Sequence, residues 1–338
     1  MKAVVLVGGE GTRLRPLTET IPKPLIPLID RPILAHVLDQ LAAHGVDETI
    51  LSSSYLEPTF AAFLRGRRRL PPAITWITEA TPLDTAGAIA NAVGRLDEAY
   101  FVLNGDVLSD LDLTAMLAFH REHAATATIF LAPVEDARPF GLVTMDEVGR
   151  VREFREKPTE LVPGTINAGT YVLEPEALRG VEPGQRVNIE REVFPRLIAE
   201  GDPVFGYLSS AYWIDTGTPE RYLQATFDLL EGRMAGRSYP APFVAPSAEV
   251  SLRAHLGRWV VAGPATTVGD AAAVEDSILL LGAVVEEGAR VRDSILGPGS
   301  IVGAGATMEG AVLGEGSKIA PGTSSSGARV SPGGVFEG

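Results

Sequence analysis

The chain has 338 residues, a length that allows about two domains of ordinary size. Its 45% hydrophobic and 21% charged content is that of a globular protein, which excludes a disordered chain. A balance of 29 Lys and Arg against 43 Asp and Glu, a net charge of −14, argues against nonspecific binding to nucleic acid but leaves small phosphate ligands open. The absence of cysteine removes disulfides, thiolate nucleophiles and cysteine zinc sites, and the five histidines form no His-x-x-x-His pair.

In chain order, Ala3–Val7 reads as a short buried strand that stops at Gly8-Gly9. The run is too short for the core of a secretory signal, and no stretch approaches the roughly 20 apolar residues of a bilayer span. A soluble, cytoplasmic protein that does not engage membranes is expected. Pro32–His44 carries Ile33, Val37, Leu38 and Leu41 at helical spacing and closes at Gly45. Thr49–Ser53, Ile74–Thr78, Tyr100–Leu103 and Ala127–Pro133 read as strands, and Ala86–Val93 and Leu113–Glu122 as helices. Such alternation predicts a mainly parallel sheet with its ligand site beyond the carboxyl ends of the strands. Gly8-Gly9 and Asn104-Gly105-Asp106 both fall there.

Composition changes after Gly232. Segment 233–243 reads as a linker between a domain over 1–232 and another over 244–338. In the second, apolar residues recur six apart: Val244, Val250 and Leu256; Val268 and Val274; Val285 and Val291; Ile295, Ile301 and Thr307; Leu313 and Ile319. That period predicts a parallel β-helix with three six-residue sides per coil. The register slips between Val274 and Val285 and again near Val312, where an extra loop is expected. Thr323–Gly338 lacks the pattern, and fraying is expected there.

Gly8-Gly9-Glu10-Gly11-Thr12-Arg13-Leu14 follows the first strand, and Pro22-Lys23-Pro24-Leu25 lies close behind. Closely spaced glycines let backbone N–H groups reach phosphate oxygens, and Arg13 and Lys23 add cations. A dinucleotide-binding fingerprint fails, because Leu14 stands where its third glycine belongs and a Pro-Lys-Pro stretch replaces the helix. A P-loop fails too, since no Gly-Lys-Ser/Thr follows.

These motifs, with Phe101–Asp106, Glu156-Lys157-Pro158, Asn167-Ala168-Gly169 and Trp213–Gly217, resemble the ordered signature of the sugar-nucleotide pyrophosphorylases. Phrases such as INAGTYVLEP, VNIEREVFP and YWIDTGTPERYL are similar to the mannose-1-phosphate guanylyltransferase branch. The resemblance implies an α/β, Rossmann-like nucleotidyltransferase domain followed by a C-terminal left-handed parallel β-helix. It implies nucleotidyl transfer from GTP to mannose 1-phosphate, with a glucose-1-phosphate thymidylyl-, uridylyl- or adenylyltransferase as the alternative. A non-catalytic nucleotide-sugar-binding subunit is the reading from another class. An acyltransferase β-helix is disfavoured, since the repeats hold only His255 as a base.

By that resemblance Leu6, Gly8, Gly9, Gly11, Thr12, Arg13, Lys23, Glu79, Asp84, Thr85 and Asp106 belong to the nucleotide site. Gly141, Glu156, Lys157, Asn167, Glu190 and Asp215 belong to the sugar phosphate site, with Glu190 equally readable as a helix N-terminal charge. Arg13, Lys23, Asp106 and Asp215 are the implied catalytic set, with Asp106 and Asp215 as ligands of Mg2+. Asp84 departs from the family's usual Leu-Gly-Thr-Ala-Gly at the first glycine, which bears on base identity. Exposed coils of the β-helix lead us to expect a homo-oligomer.

Overall fold

A computed structural model describes residues 1–53, 57–67, 71–79, 81–94 and 96–338. The chain forms two compact units, one of residues 1–9 and 34–213, the other of residues 10–33 and 214–338.

The first unit is built on a nine-stranded sheet. Across it run Ala73–Thr78, Glu48–Ser53, Lys2–Leu6, Tyr100–Asn104, Gly164–Leu173, Gly141–Met145 and Val151–Glu156. The first four strands are mutually parallel. Ala3, Val4, Ile50 and Val102 are wholly buried, the continuous apolar pattern of strands covered on both faces. Val204–Leu208 pairs in parallel with Ala127–Val134. The long strand Gly164–Leu173 runs antiparallel between the two parallel sets. Register pairs Leu6 with both Ser52 and Asn104, so three strand ends finish level. The expected helices are present as Ile33–Ala43, Asp84–Val93 and Leu113–Glu122. Gly45 follows the first with φ 73°, and Asp112 caps the third through Ala115 N–H at 2.9 Å.

The second unit carries helix Pro219–Leu230 and a left-handed β-helix of three parallel sheets. Inward side chains stack in columns 17 residues apart: Val268, Val285, Val302, Ile319 and Phe336 form one. Leu279, Leu296, Leu313 and Val330 form another. The expected extra loop is absent. From Val274 to Leu279 the inward positions are only five apart, so one side of each later coil is a residue shorter. In the stretch read as Ile295, Ile301 and Thr307, the residues that point inward are instead Leu296, Val302 and Met308. Ile295 is buried on the opposite side, where it lines a groove with Leu223 and Phe227 of helix Pro219–Leu230. Thr323–Gly338 does not leave the pattern: Ser324–Ser326, Arg329–Val330 and Val335–Phe336 complete the last coil. Serines at its strand hid it from an apolar search.

Asp276, Asp293, Gly310 and Gly327 occupy one corner column, all in the left-handed region at φ 46°, 47°, 61° and 73°. Burial first, and then the Asp293 carboxylate, push the Asp276 carboxyl above its ordinary range. Asp276→Gly is therefore expected to stabilise the unit by about 0.5–1 kcal/mol through relief of a left-handed side chain. A raised carboxyl adds stability below its unfolded pKa and loses it as pH rises through the folded one. The gain in Tm should thus be larger at pH 7 than at pH 3; equal or negative shifts would count against it. Among the described residues no helix is long and apolar enough to cross a membrane.

Candidate active site

Level strand ends open a cavity of about 200 Å³ in the first unit. It is lined by Leu6, Gly8, Gly9, Ser52, Glu79, Pro82, Asp84, Thr85 and Ala88. A Cβ on Gly9 would meet no protein atom within 4 Å, and one on Gly8 would make only ordinary contacts at 3.7 Å and beyond. Packing does not require glycine at either place, and the space beside them is open. Gly105 differs: a Cβ there would sit 2.7 Å from Val7 and 3.0 Å from the Leu6 carbonyl. That contact sets the turn that carries Asp106 off the end of Tyr100–Asn104.

Glu79 is buried beside the cavity. Its Oε1 accepts from Ser52 Oγ at 2.8 Å and its Oε2 from Leu83 N–H at 3.0 Å. Both oxygens thus shape the loop, and each retains a lone pair for a further donor. Asp84 has φ 61°, which explains how a family glycine position accepts it: Asp tolerates the left-handed region better than most residues. Its Oδ1 accepts from Thr85 N–H and from Asn188 Nδ2, both at 2.9 Å. The charge is thereby engaged in loop structure. Ala86 and Gly87 N–H both donate to the Val187 carbonyl. A Cβ on Gly87 would meet the Gln185 carbonyl oxygen at 2.1 Å.

The Asn167-Ala168-Gly169 motif is a bulge. Between Asn167 and Tyr171 the pairing with Ala127–Val134 slips, so four steps on one strand oppose two on the other. Gly169, at φ 74°, packs on Asn104, and the Ala168 carbonyl accepts from Trp213 Nε1 at 2.8 Å. Asn167 Oδ1 accepts from Gly169 N–H at 3.0 Å, and its Nδ2 donates to the Tyr171 hydroxyl at 2.8 Å. Tyr171 donates to Glu190 Oε1 at 3.1 Å, and Thr85 Oγ1 donates to Glu190 Oε2 at 3.0 Å. Burial pushes the Glu190 carboxyl up, and nearby Glu156 adds to that. Glu190 is therefore held inside a network rather than being only a helix-end charge. Gly141 pairs with Glu156 across two strands, and a Cβ on it would lie 2.7 Å from the Phe154 ring. Lys157 is exposed, with Nζ 3.7 Å from Glu156 Oε1 and φ 48°.

The second unit holds the other predicted residues. Gly11, at φ 62°, starts the turn Thr12–Leu14, and its carbonyl accepts from Thr18 Oγ1 at 2.8 Å. Lys23 is 4% exposed between two prolines, and its Nζ meets Asp215 Oδ1 at 3.2 Å. Arg13 approaches Asp215 Oδ2 at 3.7 Å. A Cβ on Gly217 would fall 2.7 Å from the Arg13 guanidinium and 2.9 Å from Asp215, so this glycine admits the clasp. Among the described residues no three His, Cys, Asp or Glu gather into a metal cage. Carboxylates such as Asp215 suit a hard ion that takes its remaining ligands from phosphates and water.

Sequence reading missed Ser52 and Ala88 in the cavity lining, and Tyr171 in the network. Ser52 had a signal, since it lies at a strand's carboxyl end. Tyr171 had none, because a tyrosine in an apolar strand reads as core.

The family model described as Nucleotidyl transferase matches residues 2–232, and one described as GMPPB C-terminal domain matches 239–334. A mannose-1-phosphate guanylyltransferase of Mycobacterium tuberculosis is 42% identical over 84% of this chain and 74% of its own. Mannose-1-phosphate guanylyltransferase 1 of Arabidopsis thaliana is 36% identical over 85% of this chain and 82% of its own. A UTP–glucose-1-phosphate uridylyltransferase of Synechocystis is 31% identical over 83% of this chain and 77% of its own. Among solved structures, HddC of Yersinia pseudotuberculosis superposes with a TM-score of 0.60 at 29% identity, covering 67% of this chain and 97% of that one. A glycine-edged cavity at parallel strand ends, its motifs in order, and matches along this length agree: the chain belongs to the nucleotidyl transferase family.

Proposed function

We propose that the chain transfers a guanylyl group from GTP to mannose 1-phosphate. An oxygen of the sugar phosphate bonds to the α-phosphorus, the bond from that phosphorus to the bridging oxygen breaks, and pyrophosphate leaves with the electron pair. A phosphate oxygen is nucleophile enough, so positioning and charge neutralisation carry the catalysis. The observation that carries the reading is the cavity edged by Gly8 and Gly9, whose missing side chains the fold does not demand. Names of the 42% and 36% identical relatives support guanine and mannose.

In this reading Leu6, Gly8, Gly9, Gly11 and Thr12 cradle the nucleotide, and Lys23 neutralises its phosphates. Arg13 stabilises the departing pyrophosphate. Lys157 takes the sugar phosphate, and Glu156, Asn167, Glu190 and the Gly141 backbone hold hydroxyls. Glu79 offers its remaining acceptor sites to N1–H and N2–H of guanine, while Asp84 and Thr85 shape the loop. The family generally uses Mg2+, which Asp106 and Asp215 would hold. When bound, such an ion neutralises phosphate charge.

A matrix of GTP, UTP, dTTP and ATP against mannose and glucose 1-phosphates, read by pyrophosphate release, tests the reading. GTP with mannose 1-phosphate should give the highest kcat/KM; comparable use of UTP or dTTP would replace it with the glucose 1-phosphate branch. Glu79→Gln should cut the preference for GTP over UTP about tenfold or more, because a charge-assisted bond of roughly 1.5–3 kcal/mol is lost. An unchanged ratio would remove Glu79 from base selection. A cytoplasmic homo-oligomer assembled through the β-helix completes the reading, and light scattering on the full chain tests its mass.

A further inference from the structure

The network from Asn167 to Thr85 goes further than holding four side chains. Asn167 is fixed at both ends of its amide, because Oδ1 takes the Gly169 N–H and Nδ2 gives to Tyr171. Flipping that amide would set donor against donor at Gly169. Tyr171 is wholly buried and packs edge-on against Phe194, with ring centroids 5.2 Å apart. Burial, and next the Glu190 carboxylate, hold its phenol far above the ordinary value, so it stays an O–H donor. Glu190 receives that donor on one oxygen and Thr85 on the other. Thr85 Oγ1 in turn accepts from Ile189 N–H at 2.8 Å, which fixes its hydroxyl as a donor to Glu190. With Glu190 as a carboxylate, every proton in the network thus has one direction. Thr85 lines the nucleotide cavity, whereas Asn167 sits in the bulge at the other end.

We propose that Tyr171 is a positioning residue that couples the amide of Asn167 to the base loop through Glu190 and Thr85. A change at the loop end is then felt at the sugar end, and by linkage the reverse holds for binding. The inference rests on the assignment of Asn167 to the sugar subsite and deepens it: recognition of a pyranose 1-phosphate depends on a base-loop hydroxyl in the nucleotide cavity.

The test uses the full chain and the variants Tyr171→Phe, Thr85→Val, Thr85→Ser and the double Tyr171→Phe/Thr85→Val. Steady-state constants and calorimetric affinities are measured for GTP and mannose 1-phosphate, with Tm as a check on folding. Tyr171→Phe should raise KM and Kd for the sugar phosphate about tenfold, with kcat changed much less, since a buried bond to a charged group is lost. Thr85→Val should also raise the sugar phosphate constants several-fold, and Thr85→Ser should restore them. The double variant should be little worse than the worse single one, because both cut one network. Sugar phosphate constants within twofold of wild type in Thr85→Val, or a double variant whose effect is the product of the singles, would overturn the coupling. If Tyr171→Phe fails to fold, Thr85→Val against Thr85→Ser still decides. A wild-type enzyme that binds both ligands but releases no pyrophosphate refutes the reaction while leaving the coupling to be read from affinities. A wild type that binds no sugar 1-phosphate overturns both.

Discussion

Asp215→Asn is expected to lower kcat about 10²–10³-fold, the scale on which loss of one preorganised donor acts, because Asp215 orients the cations Lys23 and Arg13. The structure gives the reason at the residue. Asp215 faces Lys23 on one oxygen and Arg13 on the other, and Gly217 is small so that all three can meet. A neutral amide releases Lys23 and Arg13 from that orientation, and it would weaken the proposed hold on a hard cation. Asn keeps one carbonyl oxygen for the Lys23 ammonium, so the fold should survive with a cost of about 1–3 kcal/mol. Asp106→Asn should show the same loss of turnover. Pyrophosphate release at saturating substrates is the readout, with nucleotide affinity measured beside it. Near wild-type turnover in both variants would dismiss the two carboxylates from catalysis.

Alanine at two glycines of the first unit should weaken nucleotide binding alike but differ in stability. At Gly87 a methyl group would press on the Gln185 carbonyl at 2.1 Å, and backbone cannot swing aside as a side chain can. Overpacking of this kind costs about 1–3 kcal/mol or more, and it displaces the hydrogen bonds of Ala86 and Gly87 to Val187. Gly87→Ala should therefore lower Tm and weaken triphosphate binding together. At Gly9 the methyl meets no protein atom within 4 Å. Gly9→Ala should leave Tm unchanged and still weaken GTP about tenfold or more, because the intruding group occupies ligand space. Unaltered GTP affinity in Gly9→Ala would mean that the cavity is not the nucleotide site.

Local pattern made a large part of this legible. Apolar runs ending in glycine, as at Ala3–Val7, announce buried parallel strands whatever surrounds them, since strands covered on both faces have no polar side to show. A recurrence of six announces coils. Motif order carried the family, and with it the expectation that Arg13, Lys23, Asp106 and Asp215 act as a set.

What the pattern left open depends on atoms distant in the chain. Six-residue spacing does not say which of two adjacent apolar residues points inward, and Leu296 rather than Ile295 does so because stacking on Leu279 and Leu313 decides it. Asp84 at φ 61° becomes intelligible only beside Asn188, 104 residues on, which takes up its carboxylate. The bulge at Asn167–Gly169 arises where a strand pairs with a neighbour of different count, and pairing is a property of two segments. Tyr171 reads as core until Glu190 and Asn167 are found at its hydroxyl. Sequence alone determined periods, strand ends and the inventory of charges, because these follow from backbone geometry and local solvation. Tertiary structure decided facing, register and partners, because a hydrogen bond or a stacked side chain is specified by distance in space, which residues far apart in the chain reach only once the sheet and coils have closed.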